Sequence, residues 1–301
     1  MRLNNEKDTF TSYHPVVNML YFSVVIGFSM FFMHPVCLVI SLICAFLYSL
    51  YVNGKKAMRF GLIFMLPMLI FTALINPAFN HQGVTILTYF PSGNPLTLES
   101  ILYGIAAAVM LITVVAWFIS FNTVMTSDKF VYLFGRVIPA LALILAMALR
   151  FIPHFRKQFR VISNAQKCIR RDTSGGNILL KVKHNARILS IMVTWALENA
   201  IETADSMRSR GYGLPGRSAF SIFRFDKRDN HALAYILSCT CFVIAGTAAG
   251  ANRFSYFPMV SGKWGEPFTI AVFAAYFALC IFPMIINIKE DLAWRSIVSK
   301  T

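Results

Sequence analysis

Seven apolar runs divided by polar breaks set the pattern of this chain. Six of them, residues 16–33, 36–52, 60–76, 101–125, 232–251 and 268–288, contain no Asp, Glu, Lys or Arg. Each is near the roughly 20 residues a helix needs to cross the hydrocarbon core, so each predicts a transmembrane helix. His34-Pro35 leaves a very short turn between the first two. The seventh run, 137–152, is ambiguous, because it leads directly into strongly basic sequence.

Composition agrees with the pattern. At 57% hydrophobic and 14% charged, with a mean hydropathy of +0.61, the chain is too apolar for a soluble globule and reads as an integral membrane protein. The net charge of +15 would suit nucleic acid in a soluble protein. In a membrane protein the same excess belongs to cytoplasmic loops, so no nucleic-acid partner is expected. The polar start, residues 1–15, enters the first run without a small-residue cleavage site, which argues against a cleavable signal. The six cysteines form no C-x-x-C pair, and all but Cys168 lie in apolar runs, so they read as small buried hydrophobes rather than metal or disulfide ligands.

Charge assigns the sides. Lys55, Lys56 and Arg59 place the second loop inside, and hence the N-terminus too. Residues 77–100 hold no Lys or Arg and fit the outside. The fourth span then returns to the cytoplasm near Ser127-Asp128-Lys129. A full crossing by 137–152 would export the basic segment that follows, so this run is expected to skim or half-enter the inner leaflet. Six spans remain, with both termini cytoplasmic in the cell membrane. Lys289, Arg295 and Lys300 agree; Arg253 and Lys263 in the last outer loop run against the rule, offset in part by Glu266.

Residues 156–228 carry 15 of the 28 Lys and Arg, a concentration that cannot sit in lipid. Two long helices are predicted there, about 139–171 and 178–210, broken at Thr173-Ser174-Gly175-Gly176. Pro153 removes a backbone donor and is expected to kink the first. On the second, Leu189, Met192, Ala196, Ala200, Ala204 and Met207 fall on one stripe expected to pack against a neighbour, and Glu198, Glu202 and Asp205 on another. Gly211 suits the left-handed residue that ends a helix, and Arg208 and Arg210 complement the negative end of its dipole. Two readings of Arg210 follow: an ordinary basic helix end, or a guanidinium presented to an acidic groove on a partner, where its planar fork makes two directed hydrogen bonds.

Other chemistry is poorly supported. The charge-free spans lack the ionisable groups an intramembrane enzyme or ion relay needs. The six histidines are scattered without H-E-x-x-H, and G-x-x-x-x-G-K-[ST] is absent, so no cofactor is expected and any ATP must be hydrolysed by a partner. No internal repeat points to a secondary transporter.

The chain resembles the transmembrane T component, EcfT or CbiQ-like, of energy-coupling factor ABC transporters. The resemblance rests on Leu149-Arg150-Phe151-Ile152-Pro153, Asn164-Ala165-Gln166-Lys167, Ser209-Arg210-Gly211-Tyr212-Gly213 and Pro215-Gly216-Arg217-Ser218-Ala219-Phe220. Asn80-His81-Gln82-Gly83-Val84-Thr85 and Gly93-Asn94-Pro95-Leu96-Thr97-Leu98-Glu99 are similar to a subset of the family. It implies an all-α integral membrane protein of about six transmembrane helices with long cytoplasmic coupling helices in an L-shaped arrangement. The expected division is 1–126, 127–230 and 231–301: four spans, the coupling segment, then two spans with a short tail. Its implied partners are two cytoplasmic ABC ATPases and a membrane-embedded substrate-capture subunit for a vitamin or metal ion. Ser209, Arg210 and Gly211 match the second Arg motif that docks an ATPase in the family. The first motif departs from the pattern: Ile169 stands where the Arg is expected, and Arg170 and Arg171 follow it. Arg150, Pro153, Ala165, Gln166, Gly175 and Gly176 would shape the coupling helices. The alternatives are a permease of another ABC class or an intramembrane enzyme.

Overall fold

The computed structural model describes residues 8–54, 61–89, 94–169, 178–212, 223–262 and 265–298. They fall into two compact units, Met1–Thr126 with Phe223–Thr301, and Ser127–Ile222.

The first unit contains α1 (Pro15–Phe31), α2 (Pro35–Asn53), α3 (Leu66–Phe79, entered through a π-helical turn at Gly61–Met65), α4 (Leu98–Val124), α8 (Lys227–Ala248) and α9 (Pro267–Val298). Each of the six charge-free runs thus forms a helix. Helices α2, α4, α8 and the Pro267–Trp294 part of α9 are long and apolar enough to cross a membrane; Pro15–Phe31 and Ile63–Phe79 are shorter apolar helices. The protein is an all-α membrane protein.

Helices α1 and α2 begin alike. His14 and His34 are N-caps, each followed by Pro, and each imidazole Nδ1 accepts from the backbone N–H two residues on, Val16 and Val36, at 3.3 Å. Pro at the first helical position removes a donor that would have no partner anyway. These histidines, scattered in sequence, therefore start two apolar helices. Both are buried.

The core of this unit surrounds Trp117, with Tyr21, Phe22, Tyr48, Ile236, Tyr276 and Leu279 all buried. A buried indole N–H needs an acceptor. Trp117 Nε1 of α4 donates to Ser41 Oγ of α2 at 3.0 Å, and Ser41 lies 2.7 Å from Ser29 Oγ of α1. Tyr276 of α9 approaches Ser29 at 3.4 Å. Hydroxyls rather than charges thus connect four helices, as expected of polar groups in apolar surroundings. Asn76 Nδ2 also ties α3 to α4 through the Ser100 carbonyl at 2.8 Å, whereas Asn18 bonds locally to Tyr13 and Asn122 is exposed.

The residues before α1 are part of the packing. A 3₁₀ turn, Thr9–Ser12, buries Phe10 completely, and the Phe10 N–H donates to Asn287 Oδ1 at 3.1 Å. Asp8 accepts from Asn287 Nδ2 at 2.7 Å, Thr11 Oγ1 at 2.8 Å and Tyr48 OH at 3.1 Å. The Asp226/Asp229 capping box that starts α8 reaches the same segment, since Asp229 Oδ1 accepts from the His14 N–H at 3.0 Å. Burial raises the Tyr13 phenol above its ordinary value, with Arg228, 5.2 Å from its ring centroid, pulling the other way.

Between α3 and α4 the sequence pattern showed only a loop. The structure has an antiparallel pair there, β1 (Ile86–Tyr89) and β2 (Pro95–Thr97), which brings the two quoted loop motifs together. Glu99, buried at the start of α4, accepts from Thr85 Oγ1 at 2.8 Å; Thr97 Oγ1 donates to the Gln82 carbonyl at 2.7 Å. Gly83 has φ +140°, and a Cβ there would lie 2.9 Å from Thr97 Cβ, so only glycine fits. A second pair, β3 (Phe254–Ser255) with β4 (Ser261–Gly262), lies between α8 and α9.

The cysteine expectation needs correcting. Cys37, Cys44 and Cys280 are buried, but Cys239 is half-buried and Cys241 exposed, because an apolar helix in a membrane protein need not turn every small residue inward.

The second unit contains α5 (Ser127–Val137), α6 (Pro139–Cys168) and α7 (Ile178–Ser209). Helix α5 was not foreseen: it begins with Ser127-Asp128-Lys129, which read only as the polar end of a span. Pro153 lies inside α6, which is helical across it.

Candidate docking surface on the crossing helices

Helices α6 and α7 meet around Trp195. Its ring centroid lies 5.1 Å from that of His154 and 5.6 Å from that of Phe155, and Phe151 lies tilted against Phe155 at 5.9 Å. The covered positions of α7 are His184, Ile188, Met192, Trp195, Ala196, Asn199, Thr203 and Met207. Part of the expected stripe faces α6. Met192, Ala196 and Met207 are on the covered side, but Leu189, Ala200 and Ala204 are exposed. Apolar residues occur all round this helix, so apolarity alone does not choose the contact face. The aromatic surface of α6 draws in Trp195 instead. Val182, Leu189, Val193, Leu197 and Ile201 are left as an exposed apolar face, each at least half exposed.

The chain length between the helices fixes their relative direction. From the crossing, α6 continues for about 21 Å to Cys168, and α7 reaches back about 29 Å to Ile178, at 1.5 Å per residue. Parallel helices would leave these ends roughly 50 Å apart, beyond the ~35 Å that ten extended residue steps span. Helix α7 therefore runs back across α6. The same rise puts the C-terminal ends of the two helices on different sides of the crossing, roughly 30–40 Å apart.

The end of α7 is a Schellman closure. The Gly211 N–H donates to the Arg208 carbonyl at 3.0 Å and the Tyr212 N–H to the Met207 carbonyl at 3.0 Å, with Gly211 at φ +75°. This makes Arg210 the C-cap, held by backbone hydrogen bonds on both sides. Its side chain is exposed and has no hydrogen bond or ion pair among the described residues. Ser209 Oγ turns back to the Ser206 carbonyl at 2.9 Å.

The end of α6 differs. Its C-cap is Ile169, 60% exposed, so an apolar side chain occupies the position that Arg210 holds on α7. Upstream, Ala165 is exposed and Gln166 half-buried. Arg170, Arg171, Gly175 and Gly176 lie outside the described residues. Arg150 is exposed beside the crossing, with Pro153 next to it in the same cleft. Within the described residues the coupling-segment motifs thus lie at three places, the crossing, the end of α6 and the end of α7.

A bundle of helices built on six charge-free runs, in a chain that also holds two long basic helices, is that of a multi-pass membrane protein. Residues 11–222 match the CbiQ family, described as cobalt transport protein, and the chain belongs to that family. Among its relatives, the energy-coupling factor transporter transmembrane protein EcfT of Lactobacillus helveticus is 29% identical over 62% of this chain and 68% of its own length. EcfT of Lactococcus lactis is 34% identical over 35% of this chain and 40% of its own length. EcfT of Streptococcus equi is 26% identical over 65% and 74%. The resemblance to the T component of energy-coupling factor transporters is borne out.

Proposed function

We propose that this chain is the coupling subunit of an energy-coupling factor importer, passing the closure of two cytoplasmic ATPases to a membrane-embedded substrate-capture subunit for a vitamin or metal ion. The observation that carries the reading is the crossing of α6 and α7, which sets two helix C-termini roughly 30–40 Å apart. Two separated docking points suit two ATPase copies. At one of them Arg210 is rigidly capped and has no partner within the described residues. A preorganised guanidinium loses little freedom on docking into a carboxylate- or carbonyl-lined groove.

In this reading residues 127–230 form the coupling segment between the first four spans and the last two, with 137–152 at the inner leaflet and both termini cytoplasmic. Ser209 and Gly211 hold Arg210, and Arg170 or Arg171 serves the other ATPase. Arg150, Pro153, Ala165, Gln166, Gly175 and Gly176 shape the helices. The exposed apolar face of α7, Val182, Leu189, Val193, Leu197 and Ile201, is suited to the substrate-capture subunit.

Co-expression with ATPase subunits tests this. Purification in mild detergent is expected to retain two ATPase copies, and deletion of 167–211 to lose them while the chain still inserts. Tight retention after the deletion would place the coupling surface elsewhere.

A further inference from the structure

A cleft of about 390 Å³ opens where α6 and α7 cross, lined by Arg150, Phe151, Pro153, His154, Lys157, Asn199 and Thr203. Its volume lies in the ~300–1,000 Å³ range of small-molecule sites. The lining has one electrostatic sign. Arg150, His154 and Lys157 recur at helical spacing along one wall, and Asn199 and Thr203, four residues apart, offer an amide and a hydroxyl from the other. Among the described residues no carboxylate lines it; Glu198 and Glu202 of α7 are exposed and adjacent in sequence to the two polar residues, but turned about 100° from them around the helix. Neither Arg150 nor Lys157 has a hydrogen bond or ion pair among the described residues.

A second cavity of about 150 Å³ adjoins it, sharing Phe151 and Asn199 and otherwise lined by Phe155, Trp195, Ala196 and Ala200. A cleft lined by basic and neutral polar groups beside an apolar one suits an amphiphile with a charged head. Basic groups so placed attract the anionic phospholipids of a cytoplasmic leaflet. The surrounding charge favours the same ligand, since residues 127–222 hold 15 Lys and Arg against five Asp and Glu.

We propose that the crossing of α6 and α7 is a phosphate-binding site in which Arg150, His154 and Lys157, with Asn199 and Thr203, hold a phosphate ester, and that the adjoining apolar cavity takes the stem of an anionic phospholipid. Such a ligand would wedge the two helices at their crossing. The site stands apart from Arg210 and does not depend on what docks there.

Native mass spectrometry of the full-length chain, purified in detergent and offered phosphatidylglycerol or phosphatidylcholine, tests the site. Selective retention of phosphatidylglycerol is expected, falling at least tenfold in Arg150→Gln/Lys157→Gln and remaining unchanged in Lys181→Gln/Arg187→Gln, which removes equal charge elsewhere on α7. Competition by millimolar inorganic phosphate would support the phosphate site. If ³¹P line broadening showed inorganic phosphate bound through Arg150 and Lys157 while no lipid was retained, the source would be a soluble phosphate and the lipid half of the proposal would fall. Equal retention of both lipids, or undiminished phosphatidylglycerol in the Arg150/Lys157 variant, would overturn it. So would loss of ATPase co-purification in that variant with lipid retention intact, which would assign the cleft to an acidic protein surface.

Discussion

The Tyr212 N–H donates to the Met207 carbonyl at 3.0 Å, closing the last turn of α7 around Arg210. The closure needs Gly211 at φ +75°, where a side chain costs about 1–2 kcal/mol. Gly211→Ala is therefore expected to loosen the C-cap without unfolding the helix. Coupled ATP hydrolysis in the reconstituted complex should fall severalfold, with helix content by circular dichroism unchanged. Full coupling in Gly211→Ala would show that the cap geometry is irrelevant to docking.

Arg210→Glu should have a larger effect. Losing one partner of a buried, hydrogen-bonded charge pair costs about 2–5 kcal/mol, enough to remove most coupled hydrolysis. Arg208→Ala is expected to be mild, since it points in another direction two residues back. Arg170→Ala and Arg171→Ala should differ from each other, since only one of the two guanidiniums can point into the groove. ATPase rates of the four variants decide this. Coupling near wild type in Arg210→Glu would leave Arg210 as a plain helix end.

Ser41→Ala removes the acceptor of the buried Trp117 indole. An unsatisfied buried donor costs about 1–3 kcal/mol, so thermal unfolding in detergent should shift to lower temperature. Ser238→Ala, whose exposed hydroxyl bonds only to the nearby Tyr235 carbonyl, is the control and should not shift.

Asn287→Ala takes a donor from Asp8 and an acceptor from the Phe10 N–H at once. Hydrogen bonds to charged groups contribute about 1.5–3 kcal/mol each, so the N-terminal turn should open more readily. Hydrogen exchange at the Phe10 amide is expected to accelerate at least tenfold, while exchange in α4 stays slow. Uniform acceleration would mean that Asn287 supports the whole bundle rather than the turn.

Orientation is accessible to labelling. On a Cys-free background, a probe at Gln82 or Gly93 should react from outside in intact cells, and one at Asn164 or Gly216 should not. Outside labelling of Asn164 would reverse the sides and remove the coupling proposal with them.

Hydrophobic periodicity and charge were enough to locate all six apolar helices, the two long basic ones and the glycine that ends α7. Those signals are local: a run of apolar residues must leave water, and Gly211 relieves the same steric clash in any context. The helix caps His14 and His34 were also local, but a lone histidine carries no signal until its Pro neighbour is read as a helix start. The covered face of α7 was not legible. Leu189, Ala200 and Ala204 look as buriable as Met192 and Ala196, and only the aromatic surface of α6 decides that Trp195, Asn199 and Thr203 turn inward. The joining of Asp8 to Asn287, across nearly the whole chain, and of Thr85 to Glu99 depended likewise on which helix ends the tertiary structure brings together. Burial of a chain segment follows from its own composition, whereas the identity of its partner is a property of the packed whole.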